Sequence, residues 1–382
     1  PAWLVARIQA GGRPQADCIP IDQRVIVRNK ATGRYEITEA GQLRATFGEY
    51  QALSYNFEAR AWEFRDITAW IPKGICPIFQ VRMLNGTEFR CTADHRLFAW
   101  HSWKPGSFRE MTLADLRAST RTERPSLAMA KHIPALDAVP DRGLDQLWIY
   151  GLYVAEGWTQ NRSKSTGISI GGDGPLRDEL IGRLTRLGSR WSRSRRERSG
   201  SVAVLSGPVK DALLADVIGH RARFKDLPES YLSMNLPQVN AFLEGYGLGD
   251  DFVPTHGRWK DRVERIHNTS SLELAHKLLF FHRLRGDSAS LWTQPHHGGA
   301  GRYPMYRVLV WRPKEKRPRY QERLPGLANA SWRSITYAGE QPACDLRVEG
   351  THNFVLENGI VAHNCDDLTL LALSMLSSIG FV

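Results

Sequence analysis

The stretch "CDLRVEGTHNFVLENGIVAHNC", residues 344–365, decides how this chain is read. β character runs through it and an apolar strand leads into His363, Asn364 and Cys365. An Asn side-chain amide can attack its own main-chain carbonyl, closing a succinimide and releasing whatever follows. A neighbouring His that passes protons speeds the step. A thiol on the next residue can first take over an acyl group, so that release comes only after something has been joined. Three residues alone also fit a surface turn with an incidental Cys, and the rest of the chain has to separate the two.

Working upstream, β character starts at about residue 333, after a basic, Pro-containing run, "RPKEKRPRYQERLPG" (312–326), that reads as surface or linker. A second β region follows Cys18. There "RVIVRN" (24–29), "RYEITE" (34–39), "AWEFRDITAW" (61–70), "CPIFQVRML" (76–84) and "EFRCTADHRLFAW" (88–100) alternate apolar with polar residues, and Asn85-Gly86 is a hairpin signal. Between these regions the pattern changes. In "DRGLDQLWIYGLYVAEGW" (141–158), Leu147, Tyr150, Gly151 and Val154 recur at helical spacing, and helices and strands mix from there on. An α/β insert of domain size therefore splits an all-β region, leaving the two β halves free to pair. Cys18 and Asn364 are the ends of the split part.

With 382 residues, two or more cores are expected. Net charge is +11, which favours a polyanionic partner. No segment is long and apolar enough to span a bilayer, and no signal peptide opens the chain. Five scattered cysteines, Cys18, Cys76, Cys91, Cys344 and Cys365, form no CxxC pair and fit a reducing, cytoplasmic setting. A start at Pro1 and an abrupt end suggest a fragment of a longer product.

Four stretches in order resemble the splicing blocks of an intein: "CIPIDQRVIV" the first, "CTADHRLFAW" the Thr-x-x-His block, "CDLRVEGTHNFVLENG" the penultimate one and "IVAHNC" the last. The resemblance covers Cys18 to Asn364 and implies a Hedgehog/intein all-β fold, in two parts at 18–135 and 331–364, with host segments at 1–17 and 365–382. It also implies autocatalytic splicing without a cofactor. Cys18 attacks the carbonyl of Asp17 to give a thioester, helped by His95 at the leaving nitrogen and by Thr92 at the strained bond. Cys365 takes over the acyl group and Asn364 cyclises, with His363 and His352 as proton donors or orienters. Asp345 falls where the family often carries a functional acid, and Cys344 beside it reads as a small buried hydrophobe. The carboxylate of Asp17 can itself reach the thioester through a five-membered ring, so premature N-terminal cleavage is expected.

The insert, placed at 143–315, resembles a LAGLIDADG homing endonuclease with two pseudo-symmetric halves, on the paired motifs "YGLYVAEGW" (150–158) and "EGYGLGDDF" (244–252). Glycines in both would let two helices approach closely, with Glu156 and Asp250 side by side at their ends. Two adjacent carboxylates need cations between them, and magnesium there would activate water on each strand of double-stranded DNA. Lys225, in "RFKDLPES", matches a lysine block and is placed to polarise the site. "RWSRSRRERSG" (190–200) and "RWKDRVERIH" (258–267) interleave Arg with Trp as phosphate-tracking strands do, or form plain solvated faces. Glu156 in place of Asp, and Asp251 in place of a Gly, depart from the family pattern, so a splicing element whose insert only binds DNA is the alternative. A non-splicing autoprocessing protein shares the first two blocks but has no need of Asn364 and Cys365. The chain reads as a monomer. Joining the flanks gives "GGRPQADCDDLTLLALSMLSSIGFV", which resembles the Cys block of transglutaminase-like proteins, with Cys365 at a helix start as a second-use nucleophile.

Overall fold

The computed structural model describes residues 17–100, 108–119, 125–136, 142–160, 165–170, 174–193, 201–216, 222–255, 260, 262–294, 304–311 and 324–364. The chain divides into two compact units, one built from 1–130 with 320–382 and the other from 131–319. Cys365 and the expected host segments, apart from Asp17, lie outside the described residues, as does most of each of the basic runs 190–200 and 312–326.

The first unit is almost entirely β. Its strands are β1 (Ile19–Pro20), β2 (Arg24–Asn29), β3 (Tyr35–Glu39), β4 (Tyr50–Asn56), β5 (Ala61–Met83), β6 (Glu88–Thr92), β7 (Arg96–Trp100), β8 (Phe108–Thr112) and β9 (Ser126–Ala130), with a short helix α1 (Leu113–Ala118) before β9. Beyond the second unit come β18 (Leu327–Ala330), β19 (Trp332–Val348), β20 (Asn353–Val355) and β21 (Val361–His363). One sheet runs β1-β19-β5-β4-β2-β3 with β6 beside β5, and the other β18-β9-β7-β21-β20 with β8 beside β7. Strands from both halves of the sequence thus share each sheet. Ile19, Val81, Phe89, Leu97, Leu346 and Phe354 are buried together in one apolar core fed by both sheets.

Asn85-Gly86 does turn the chain, with Gly86 at φ 83 between β5 and β6. The segments 61–70 and 76–84, legible as two strands, are one 23-residue strand. Pro72, Gly74 and Pro77 read locally as breakers. The antiparallel partner β19 holds the strand together nonetheless, absorbing the irregularity in register shifts such as the one between Ala343 and Cys344.

The second unit contains α2 (Leu144–Glu156), β10 (Gly157–Gln160), β11 (Ser165–Ser169), α3 (Pro175–Arg186), β12 (Arg190–Arg193), β13 (Ser201–Ser206) and α4 (Pro208–Asp216). These are followed by α5 (Leu236–Asp250), β14 (Asp251–Phe252), β15 (Val263–Thr269), α6 (Leu272–Arg285), β16 (Ala289–Gln294) and β17 (Met305–Trp311). Two four-stranded sheets, β10-β11-β13-β12 and β14-β15-β17-β16, have the same strand order. Helices α2 and α5 lie against each other at backbone contact. A Cβ on Gly151 would sit 2.0 Å from the carbonyl oxygen of Phe242, and one on Gly245 only 1.9 Å from that of Trp148. Only glycine permits this approach, which is the physical content of the repeated glycines in the two motifs.

Candidate functional site

The expected site residues fall into two groups, one in each unit. In the first, Cys18 is fully buried just before β1, whose Ile19 pairs with Cys344 of β19. Thr92 ends β6, and the two residues exchange hydrogen bonds. The Cys18 N–H donates to Thr92 Oγ1 at 3.2 Å, and the Thr92 N–H donates to the Cys18 carbonyl at 3.0 Å. The thiol of Cys18 is pushed far above its ordinary range, chiefly by burial and next by Cys76 alongside it. It is therefore a thiol at rest, and its proton has to leave as it attacks.

His95 sits in the turn between β6 and β7, its N–H on the Thr92 carbonyl at 3.3 Å. Burial lowers its imidazole to about 4, opposed by the charge of Asp17 and reinforced by His363. Neither ring nitrogen has a hydrogen-bond partner among the described residues. A buried ring with both nitrogens unengaged is costly, and in native proteins such groups concentrate where chemistry needs them. The charges of both Asp17 and His363 are felt at His95.

The downstream junction is held by β20 and β21, where Asn353 pairs with His363 and Ala362 pairs with Leu97 of β7. Asn364 is fully buried and its N–H donates to the His352 carbonyl at 3.0 Å. Its side-chain amide is gripped at both ends in the orientation that satisfies both atoms: Nδ2 then donates to the same His352 carbonyl at 2.6 Å and Oδ1 accepts from the Val348 N–H at 2.8 Å, whereas the opposite orientation offers only Nδ2 to the Val348 carbonyl at 3.4 Å. His352 adopts φ 52, a left-handed conformation that a non-glycine residue takes at a cost of order 1 kcal/mol. That turn aims its carbonyl at both nitrogens of Asn364. Asp345, fully buried, accepts from the Leu346 N–H at 2.8 Å. Cys344 lies in the apolar core with its thiol pushed up to about 12 by burial.

Sequence reasoning passed over a connection between Asp17 and His363. The Asp17 carboxylate accepts from the Arg96 N–H at 3.1 Å and from Arg96 Nε at 2.9 Å. The same guanidinium reaches Glu110 at 3.3 Å, and Glu110 lies 3.5 Å from His363 Nε2. Neither carried a local signal, since Arg96 reads only as a polar position of an alternating strand and Glu110 lies in a stretch given no element by its pattern.

In the second unit, Glu156 ends α2 and Asp250 ends α5. A Cβ on Gly249 would come within 2.7 Å of Glu156 Cγ, so the last turns of the helices are in contact. Asp250 is raised to about 7, first by burial and then by the charge of Glu156. Lys225 is buried and caps the end of α2, donating to the carbonyls of Val154 at 2.8 Å, Ala155 at 3.1 Å and Tyr153 at 3.4 Å. Burial lowers Lys225 to about 8 against the pull of Asp250 and Glu156. Next to Asp250, Asp251 is engaged by His267 and by Arg265, and His267 Nε2 meets His282 Nε2 at 2.8 Å, with Asp287 on the far side of His282 at 2.8 Å. Asp251 thus anchors a buried polar chain, a long-range consequence that no local pattern announces.

No family model matches the chain, and no curated protein matches it. Among solved structures it is similar to a DnaB intein from Synechocystis sp. PCC 6803, at 9% identity and TM-score 0.33, over 91% of this chain and 98% of that one. It is similar to a DnaX mini intein from Spirulina platensis at 10% identity and TM-score 0.28, over 91% of this chain and 99% of that one. A structure of I-DmoI in complex with DNA and Mn is similar over 44% of this chain and 89% of its own, at 10% identity and TM-score 0.32. Likenesses at such identities and TM-scores assign neither family nor activity, and the chemistry below rests on this chain's own residues.

Proposed function

We propose that the chain is a self-excising splicing element of the intein type, with a LAGLIDADG-type DNA endonuclease inserted between the two parts of its splicing domain. The observation that carries the reading is the reciprocal pairing of Cys18 with Thr92 beside a buried His95, in the same unit as an Asn364 whose side-chain amide is gripped at both ends. Cys18 and Asn364 each then have a stated partner.

In the first step Cys18 Sγ attacks the Asp17 carbonyl carbon, the C–N bond to Cys18 breaks and the thiol proton ends on the freed nitrogen. Thr92 Oγ1 marks that nitrogen, and the neutral His95 ring, three residues after Thr92, is the proposed proton carrier for this step. Cys365 Sγ next displaces Cys18 from the thioester, so the upstream segment hangs from Cys365. Asn364 Nδ2 then attacks the Asn364 carbonyl carbon and the bond to Cys365 breaks, leaving a succinimide and a free amine. The acyl group moves from sulfur to that amine, which makes an ordinary peptide bond between Asp17 and Cys365. His363, beside Glu110, is the proton carrier for cyclisation. His352 acts by positioning, since its carbonyl holds Nδ2 until the attack.

For the insert we infer two pseudo-symmetric halves, on the repeated order helix, two strands, helix, two strands and on the matching strand order of the two sheets. Magnesium fits its acid pair. Asp250 is driven toward protonation by burial and by the charge of Glu156, with Lys225 opposing, and a divalent cation beside the two acids would hold it ionised. Glu156 and Asp250 would hold the metal, which supplies Lewis-acid activation of water and charge for the leaving oxygen. Lys225 contributes by holding the end of α2, and with it Glu156, in place. Double-stranded DNA is the proposed substrate and the host flanks are the partners in cis, with Cys365 as a nucleophile of the joined host. The reading is tested with Asn364→Ala, which should abolish C-terminal release while added thiol still frees the N-terminal segment. Normal ligated product from that variant, by mass spectrometry, would overturn it.

A further inference from the structure

We propose that Arg96 reads the residue preceding the upstream cut, clamping an acidic side chain at position 17 so that it cannot destroy the thioester formed on its own carbonyl. The proposal rests on the splicing reading and adds to it a specificity-determining residue. Asp17 is buried, with a side chain only 6% exposed, and both of its carboxylate oxygens are occupied by one residue. Oδ1 accepts from the Arg96 N–H at 3.1 Å and Oδ2 from Nε at 2.9 Å. The first donor is fixed because Arg96 opens β7, paired there with Thr112 of β8. The second is fixed because the far side of the guanidinium reaches Glu110 at 3.3 Å. Arginine suits the role, since its planar fork is already ordered for a carboxylate.

The clamp answers a hazard inherent in the chemistry. Once Cys18 holds the Asp17 carbonyl as a thioester, a free Oδ of Asp17 is one five-membered ring away from that carbon, where intramolecular attack is strongly favoured. The oxygen would bond to the carbonyl carbon, the C–S bond would break, and Cys18 would leave as a thiolate that takes up a proton. Water would open the resulting cyclic anhydride to two carboxyl groups. The upstream segment would then be lost without joining. With both oxygens engaged by charge-assisted bonds, Asp17 has to break both to turn inward. The premature cleavage that the sequence predicts for Asp17 is in this way suppressed, and Arg96 adjoins the His95 that serves the same bond.

The test uses precursors carrying Asn364→Ala and Cys365→Ala, in which the thioester can go no further. Arg96 or Arg96→Met is combined with Asp17 or Asp17→Gly, and spontaneous N-terminal release is followed by mass spectrometry. Arg96→Met keeps the backbone donor and removes only the guanidinium. It should raise release about tenfold with Asp17 and leave it within about twofold with Asp17→Gly, a tenfold change corresponding to about 1.4 kcal/mol. In water enriched in heavy oxygen, label should enter the β-carboxyl as well as the α-carboxyl of Asp17, because the anhydride opens from either side. Arg96→Lys, which keeps the charge without the fork, should fall between. Added thiol reports thioester formation in every chain. Thiol release with an equal rise in both backgrounds, or label in the α-carboxyl alone, would overturn the clamp and leave splicing standing. No thiol release from the chain with Asp17 and Arg96 intact would overturn the splicing reading, and the clamp with it.

Discussion

Cys18 and Thr92 hold each other by hydrogen bonds from amide to hydroxyl at 3.2 Å, from amide to carbonyl at 3.0 Å and from hydroxyl to carbonyl at 3.4 Å. The second uses the backbone N–H and survives any substitution at Thr92 other than proline, so the side chain can be tested alone. Thr92→Val keeps the β-branched shape that ends β6 and leaves the Cys18 N–H facing a methyl group. A buried donor left unpaired costs about 1–3 kcal/mol. Thioester formation, read as thiol-dependent N-terminal release, should slow by about tenfold or more while Thr92→Ser retains most of it. A Thr92→Val chain as fast as the parent would remove the hydroxyl from the mechanism.

His95 makes the first unit sensitive to acid. Its folded value, lowered to about 4 from an ordinary 6.5, means that the unfolded chain takes up a proton first as pH falls. The stability it contributes is complete above about pH 6.5 and is lost as pH falls through 4, up to about 3 kcal/mol. His95→Gln should flatten the stability profile between pH 6.5 and 4 and slow thioester formation at neutral pH. Chemical denaturation at both pH values checks the first effect. An unchanged slope would mean that the ring is charged in the fold.

The segments around these residues differ in how far the sequence announces them. Asn85-Gly86 and the alternation of 88–100 are local signals and set local structure. The glycines of 150–158 and 244–252 foretold backbone contact because close approach admits no other residue. What stayed hidden is long-range. Pro72, Gly74 and Pro77 hide the continuity of β5, which comes from a partner strand more than 250 positions later in places, as in the pairing of Ile75 with Pro342. Arg96 looks like any solvent-facing strand residue until Asp17, 79 positions away, is brought to it.

His352 offers a separation of backbone from side chain. Its carbonyl grips Asn364 from a left-handed turn at φ 52, a conformation asparagine tolerates better than alanine or valine. His352→Asn should keep the grip and the fold, so any fall in Asn364 cyclisation measures the imidazole. His352→Val should also strain the turn and lower the unfolding midpoint. The comparison is made in a Cys18→Ala background, where C-terminal release is scored on its own. Equal melting of the two variants would show that the turn relaxes without cost.

The acid pair at the ends of α2 and α5 predicts a stability change of the opposite sign to that of His95. Asp250 is raised to about 7 from 3.8, so between those values the unfolded chain gives up a proton that the fold retains. Stability therefore falls as pH rises from about 4 to 7, and the penalty is complete above that, of the order of a few kcal/mol. Asp250→Asn removes the charge and keeps the shape. In a chain that cannot splice, carrying Cys18→Ala and Asn364→Ala, it should raise the stability of the second unit at pH 8 and change it little near pH 4. It should also abolish DNA cutting, since an amide is a poor magnesium ligand beside Glu156. Magnesium should stabilise the Asp250 chain at pH 8 far more than the Asn variant, because it neutralises the repulsion that the substitution removes. Denaturant melts at pH 4 and 8, with and without magnesium, separate the two effects. An Asn variant less stable than its parent at pH 8 would mean that Asp250 is paired within the protein, and Glu156 and Asp250 would then not be a metal-binding pair.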